Sequence, residues 1–448
     1  MRIANGAGFL GDQLSAPRRL VEGAVVDYLT LEYPAELTMS ILARQREKDP
    51  QSGFAEDFLM VLRDLLPALK SQPQLKIVTN GGGMNPVACA RAAGEILEAA
   101  GLGATSIGVV TGDDLLPGIG ELKSAGCQFR NLDTDQPLAE LQAPVVSANA
   151  YLGARPITAA LAQNARIVIT GRVADASLTL GPAVHEFGWD WNDLPRIAGA
   201  TVAGHLIECG SQVTGGYATE WQGVDYTTIG YPIAELAADG RCVITKPAGS
   251  GGVVNRRTVT EQLIYEISDP ACYHTPDIAL DFTTVEVADL GNDRVQVSGA
   301  SGRPASDTYK VSLAYRDGYF ASGQLLVTGA DCLTKAKCVA ETILARTAAA
   351  TQRPERSLVE CLGAGESPAS TTPREVMLRI TVHDPRREVV ERFTREIAPL
   401  ITSGPAGLTG YAAGRPSVRP VFAYWPTLVP KSLVREHVEV RSAADWSK

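Results

Sequence analysis

The chain has 448 residues, too many for one compact core, so two lobes are expected. Apolar residues at 45% and charged residues at 20% fit an ordinary globular protein. A net charge of −9 argues against nucleic acid or an anionic membrane as the bulk partner, but leaves room for a local basic pocket that holds an anionic ligand.

The opening residues lack a basic stretch followed by an apolar run, so no secretory leader is expected. No apolar run approaches the roughly 18 residues of a membrane span. Eight cysteines are scattered without a CxxC pair, which predicts reduced thiols in a cytoplasmic protein.

In chain order, a first strand over residues 2–5 breaks at Gly6-Ala7-Gly8-Phe9-Leu10-Gly11, and helical character follows over 13–23. A second strand, 25–31, ends at Glu32-Tyr33-Pro34 and precedes helices near 37–47 and 54–71. The later helix shows Phe58, Val61, Leu62, Leu65 and Leu69 at helical spacing. A third strand, 76–79, meets a glycine-rich turn, and Pro86 suits the first turn of a helix over 87–100. Further strands are read at 106–110, 144–147 and 166–170.

Short apolar strands alternating with helices predict βαβ units. The expected fold is α/β: a mainly parallel, doubly wound sheet with helices on both faces over residues 1–225. The carboxyl ends of such strands share an edge, where ligands bind. Here those ends carry Asn5, Asn80, Asp113, Asp114, Asn149, Arg172 and Asp175.

After about residue 226 the texture changes to an α+β lobe, 226–448. A hairpin over 233–246 is expected to turn through a type I′ turn at Asp239-Gly240, and a second is expected over 282–298. Thr258 is a candidate helix cap. Strands at 309–314, 323–326 and 377–383, helices at 330–349 and 388–402, and an extended tail at 417–429 complete the reading. A loop is expected at 363–373.

Five clusters carry chemistry. Gly6–Gly11 matches GxGxxG, with Asp27 near the end of the next strand. Asp12 puts a carboxylate where a pyrophosphate would sit, so no nicotinamide cofactor is expected. The turn then either brings backbone N–H groups, such as that of Gly8, to another substrate or is structural. The loops 79–86, with Asn80 and Gly82, and 246–252, with Lys246, are substrate-binding candidates or ordinary loops, and neither is a Walker A sequence. Gly215 closes a further turn. His205, Glu208 and Cys209 share a helical face and admit three readings: metal ligands, a thiolate with its base, or structural residues. No resident metal is expected, because no fourth ligand stands near. Arg172 and Asp175 either hold and deprotonate a substrate or pair with each other to fix the turn.

The stretches IANGAGFLGD (3–12), TNGGGMNP (79–86), TGRVADASLTLGP (170–182), GHLIECGSQVTGG (204–216) and GYPIAE (230–235) resemble the acyclic terpene utilisation family AtuA over most of the chain. The resemblance implies a cytosolic bacterial protein linked to citronellol and geraniol breakdown, where branched acids travel as CoA thioesters. Relatives with an extra small ferredoxin-like domain imply that such a fold serves here as a separate partner subunit. It implies no established reaction.

The combined expectation is an enzyme of small branched acid or acyl-CoA catabolism with lyase or hydratase chemistry through an enolate. Asp175, Glu208 or His205 would be the base. Arg172, Asn80 and glycine N–H groups would stabilise the oxyanion. A CoA thioester enters as substrate rather than cofactor, and homo-oligomeric assembly is expected. The alternatives are an NAD(P)-dependent oxidoreductase and a non-catalytic acyl-CoA-binding scaffold.

Overall fold

The computed structural model describes residues 1–34, 36–364, 373–410 and 414–448. The loop expected at 363–373 falls, over 365–372, outside the described residues. By internal contacts the chain divides into two units, residues 1–313 with 424–448, and residues 314–423.

The first unit is built on a ten-stranded mixed sheet. Its centre is five parallel strands: β1 (Arg2–Asn5), β2 (Tyr28–Leu31), β3 (Lys76–Thr79), β4 (Ser106–Thr111) and, after the separate β5 (Val145–Ala150), β6 (Ile167–Thr170). Their spatial order is β1-β2-β3-β6-β4. Beside β1 come β7 (Ile233–Leu236) and β8 (Cys242–Thr245), then the strands Arg294–Ser298 and Glu286–Gly291, each antiparallel to its neighbour.

The expectation of a mainly parallel sheet is therefore corrected: four of its nine ladders are parallel. The reason lies in the strands added at both edges. The strand His437–Ser442 takes the place beside β4, antiparallel, and α-helical Ala443–Trp446 follows it. Strand β5 consequently does not join this sheet; it pairs with the long strand Thr308–Thr328.

Side chains alternate across the sheet. Ala4, Leu29, Leu31, Ile77, Ile107, Val109, Ile167 and Ile169 form a buried core with α1 (Ala16–Gly23), α3 (Glu56–Ser71) and α4 (Pro86–Ala99). The remaining helices of the parallel segment, in chain order, are α2 (Glu36–Lys48), α5 (Ile119–Ser124), α6 (Arg155–Ala162), α7 (Ser177–Phe187) and α8 (Leu194–Glu208). Helices α6, α7 and α8 pack against one another and the sheet, with buried Ile3, Tyr28, Val78, Val110 and Val168 on that second face.

Two local expectations are revised. Gly240 has φ +90°, but Asp239 is not left-handed, and Gly240 N–H donates to Ala237. That hairpin thus closes through a three-residue turn with a glycine bulge. The type I′ geometry, with both central residues left-handed, belongs instead to Asn292 and Asp293 of the next hairpin. The helix Arg256–Leu263 is capped by Asn255, and Thr258 completes a capping box from the third position.

In the second unit, strands Arg356–Leu362 and Glu375–Asp384 pair antiparallel with each other, and the latter pairs with residues 319–328. Helices Cys332–Ala350 and Arg387–Glu396 bury Val339, Ile343, Val390 and Phe393 against Leu325, Leu378 and Ile380.

Candidate active site at the carboxyl ends of the parallel strands

The register places the ends of β1, β2, β3, β6 and β4 on one edge: Asn5 is level with Thr30, Leu31 with Thr79, Thr79 with Ile169 and Val110 with Thr170. The residues that follow these strands are thereby brought together.

At the end of β6 the backbone turns through Gly171, whose missing side chain is a necessity. A Cβ there would stand 2.3 Å from Asp113 Oδ1. Asp113 in turn accepts from Arg172 N–H at 2.9 Å and from Asn149 Nδ2 at 2.8 Å. Burial pushes the Asp113 carboxyl up to about 6 against these donors. The Arg172 side chain is buried. Its Nη1 donates to Val173 O at 2.9 Å and to Asp175 at 2.5 Å, and its guanidinium lies 4.2 Å from the Tyr151 ring. The pairing with Asp175, set against burial, holds Arg172 firmly charged. Asp175 keeps 37% of its side chain open, so the pair reaches solvent on the carboxylate side. Lys310 Nζ lies 4.8 Å from the same Tyr151 ring, and its charge also favours ionised Asp175.

Glu32, one residue past β2, completes this group. It is 7% exposed, and burial together with the adjacent Asp175 carboxylate pushes its pKa well above the carboxylate range. Of the two acids, Glu32 is the one that holds a proton, and it can donate it to Asp175.

Helix α8 brings in the second pair. Gly204 lets α8 approach the start of α7: a Cβ would sit 2.8 Å from Ala176 Cα. That approach sets the end of α8 beside Asp175. His205 Nδ1 lies 2.9 Å from Glu208 Oε1, and His205 Nε2 lies 3.0 Å from Gln262 O. A carbonyl only accepts, so Nε2 carries hydrogen, and the Nδ1–Glu208 contact shares the remaining proton. Burial pushes Glu208 up to about 7, opposed by His205 and aided by Asp175; the Glu208 charge draws the His205 pKa upward against its burial. Tyr273 and Phe282 wall the imidazole. Burial pushes the Cys209 thiol up, with the Glu208 charge acting in the same direction, which opposes the thiolate a nucleophile needs. Among the described residues no group of three His, Cys, Asp or Glu is arranged to hold a metal ion.

The glycine turn after β1 behaves differently. Gly6 N–H donates to Thr30 O, Leu10 N–H to Tyr33 O, Gly8 N–H to Asp12 at 2.8 Å and Gly11 N–H to Asp57 at 2.8 Å. Tyr231 hydroxyl also donates to Asp12. Asn5 caps α8, its Nδ2 donating to Ile207 O at 2.7 Å and Glu208 O at 2.6 Å. A Cβ on Gly8 would sit 2.7 Å from the Cys209 carbonyl carbon. Asn5 and Gly8 thus position α8, and their donors are engaged by the protein.

The turn after β3 is the opposite case. Asn80 accepts from Tyr33 N–H at 2.9 Å, but its buried Nδ2 has no partner. Gly82 lets the turn meet β6, since a Cβ would lie 2.5 Å from Thr170 O. Glu32 Oε2, the Tyr33 hydroxyl, Asn149 Oδ1 and Arg172 Nε are likewise buried without a hydrogen-bond partner. Each follows, or ends, one of the strands β2, β5 and β6.

Two expected binders lie apart. Gly215, at φ +98°, packs on Val253 in a structural turn. Lys246 is buried and bonds to Asp293 at 2.9 Å and Ser250 O at 2.8 Å. The residues that sequence reasoning missed are Glu32, Tyr151, Tyr273 and Lys310. Glu32 had a signal, an acid one residue past an apolar strand. Tyr151 had a similar signal, one residue past β5, whereas Tyr273 and Lys310 arrive from distant sequence.

No curated protein and no solved structure matches the chain. A family model, however, matches residues 1–440. The chain belongs to the acyclic terpene utilisation family AtuA.

Proposed function

We propose that this protein is an enzyme of acyclic terpene utilisation that moves a proton on a small branched acid or its CoA thioester, by lyase or hydratase chemistry through an enolate, without a dissociable cofactor. The observation that carries the reading is Glu208, whose carboxyl is pushed up to about 7 beside His205 and Asp175. A base working at neutral pH needs that value. Glu208 takes the proton next to the carbonyl, and its partner His205 shares the charge. Glu32 holds a proton to return, relayed through Asp175. Lys310 gives the mouth of the site a cation that suits an acid substrate. Arg172 holds Asp175 in place, so its part is positioning.

The test begins with thermal shift against a panel of CoA thioesters, free branched acids and NAD(P), because only a true ligand stabilises the folded chain. A branched acid or thioester is expected to raise the melting temperature. Incubating that ligand in D2O should then exchange its α-hydrogen, and Glu208→Gln should stop the exchange. Stabilisation by NAD(P) alone would replace this reading with an oxidoreductase.

A further inference from the structure

A second candidate site lies away from the strand ends. A cavity of about 450 Å³ is lined by Arg2, Val25, Lys246, Gly249, Asp293 and Arg294, among others. None of the acids at the strand ends lines it. Its size suits a small molecule.

Its charge is the unusual feature of an otherwise acidic chain. Arg2, Lys246 and Arg294 face one lining carboxylate, Asp293, which is paired with Lys246 at 2.9 Å. Behind them a single carboxylate, Glu235, serves both guanidiniums. It accepts from Arg294 at 2.5 and 3.3 Å and lies 3.4 Å from Arg2 Nε. That Arg2 nitrogen is buried and has no hydrogen-bond partner. Asp27 accepts from Arg2 N–H at 2.7 Å and is not among the lining residues. The cations Arg2, Lys246 and Arg294 stand against the carboxylates Asp293 and Glu235. One positive charge is left over. Gly249, at φ +76° with open space where a side chain would be, leaves the backbone of the Lys246 loop approachable.

We propose that this cavity binds a phosphate-bearing small molecule. Two guanidiniums converging on one carboxylate keep unused donor capacity, and a guanidinium fork fits phosphate oxygens two at a time. Lys246 adds a point charge from a glycine-rich loop, held ready by Asp293. Neither glycine turn at β1 nor β3 offers such a set of cations.

The test is calorimetric titration of the full chain with inorganic pyrophosphate and inorganic phosphate, with sulfate at matched ionic strength as the control. Saturable binding of the phosphate compounds, tighter than sulfate, is expected. Val25 is 69% exposed on the lining, so Val25→Glu adds a negative charge without disturbing a packed contact. It should weaken binding at least tenfold, and Arg294→Gln should do the same, while Asp175→Asn leaves binding unchanged. Absence of saturable binding, or Val25→Glu binding as tightly as the parent, overturns the proposal. So does equal weakening by Asp175→Asn, which would assign the ligand to the strand ends. Circular dichroism of each variant confirms that it is folded.

Discussion

The turns after β1 and β6 look alike in sequence. Each follows a short apolar strand, each holds glycine and each carries an acid within a few residues. They differ in where their hydrogen bonds go. After β1, the N–H groups of Gly6, Gly8, Leu10 and Gly11 all meet protein acceptors, and Asn5 caps α8. After β6, Arg172 Nε is unpartnered, and across the edge so are Asn80 Nδ2 and Glu32 Oε2. Buried polar groups are normally paired, and leaving one unpaired costs on the order of 1–3 kcal/mol. A cluster of them on one strand edge is therefore the better pointer to a ligand site than a glycine pattern.

The largest effect that tests this contrast is on the closed turn. Gly8→Val drives a side chain into the backbone of Cys209 and Gly210, which cannot yield without moving α8. We expect little soluble protein, or a melting temperature lowered by more than about 10 °C, read by circular dichroism. A variant that folds normally would mean that the turn is looser than its contacts imply.

On the open side the first effect is chemical. Glu208→Gln keeps the shape and removes the base. Turnover of the ligand selected by thermal shift should fall at least ~100-fold, about 2.7 kcal/mol of barrier. Full activity would transfer the base role to another acid.

Arg172→Lys should fall between these classes. Lysine keeps the charge but loses the planar guanidinium, whose Nη1 joins Val173 O to Asp175 and whose face lies over Tyr151. The melting temperature should drop and turnover should fall ~10-fold, because Asp175 loses its orientation. A variant as stable as the parent with turnover abolished would show instead that the guanidinium grips substrate directly.

The smallest effect concerns Asp113. Its folded pKa, about 6, lies above the ordinary carboxyl value of 3.8. Between those values the folded state binds the extra proton, so the contribution to stability is full below the unfolded pKa and is lost as pH rises through 6. The parent should therefore lose a few degrees of melting temperature relative to Asp113→Asn between pH 4.5 and 7.5. A difference that stays constant with pH would show that Asp113 titrates normally.

Much of the strand order along the chain could be read from apolar runs that stop at glycine or asparagine, and the strand-end location of Asn80, Asp113, Arg172 and Asp175 followed from it. The mixed character of the sheet could not. The strand His437–Ser442 looks like an unremarkable tail, and only its pairing with β4 displaces β5 from the sheet. Periodicity reports which face is buried and carries no information on the distant partner. The same limit hid Lys310 and Tyr273, whose roles come from contacts across long stretches of chain. Glycine spacing at β1 left a substrate-binding and a structural reading open because a pattern of small residues marks any close approach; here the approach is to the end of α8.

The pairing of β4 with His437–Ser442 also has a consequence for synthesis. A ribosome that has finished Thr111 must add 325 residues before His437 emerges to cover that strand. At roughly 5–20 residues per second this takes on the order of 15 to 65 seconds. During that time the nascent sheet presents a bare edge and, beside α4, the gap that Trp446 later fills with its indole donating to Ile107 O. Exposed strand edges invite pairing with other chains. Production of this protein should therefore respond to translation speed and to chaperones that shield such edges, even where the finished molecule is stable.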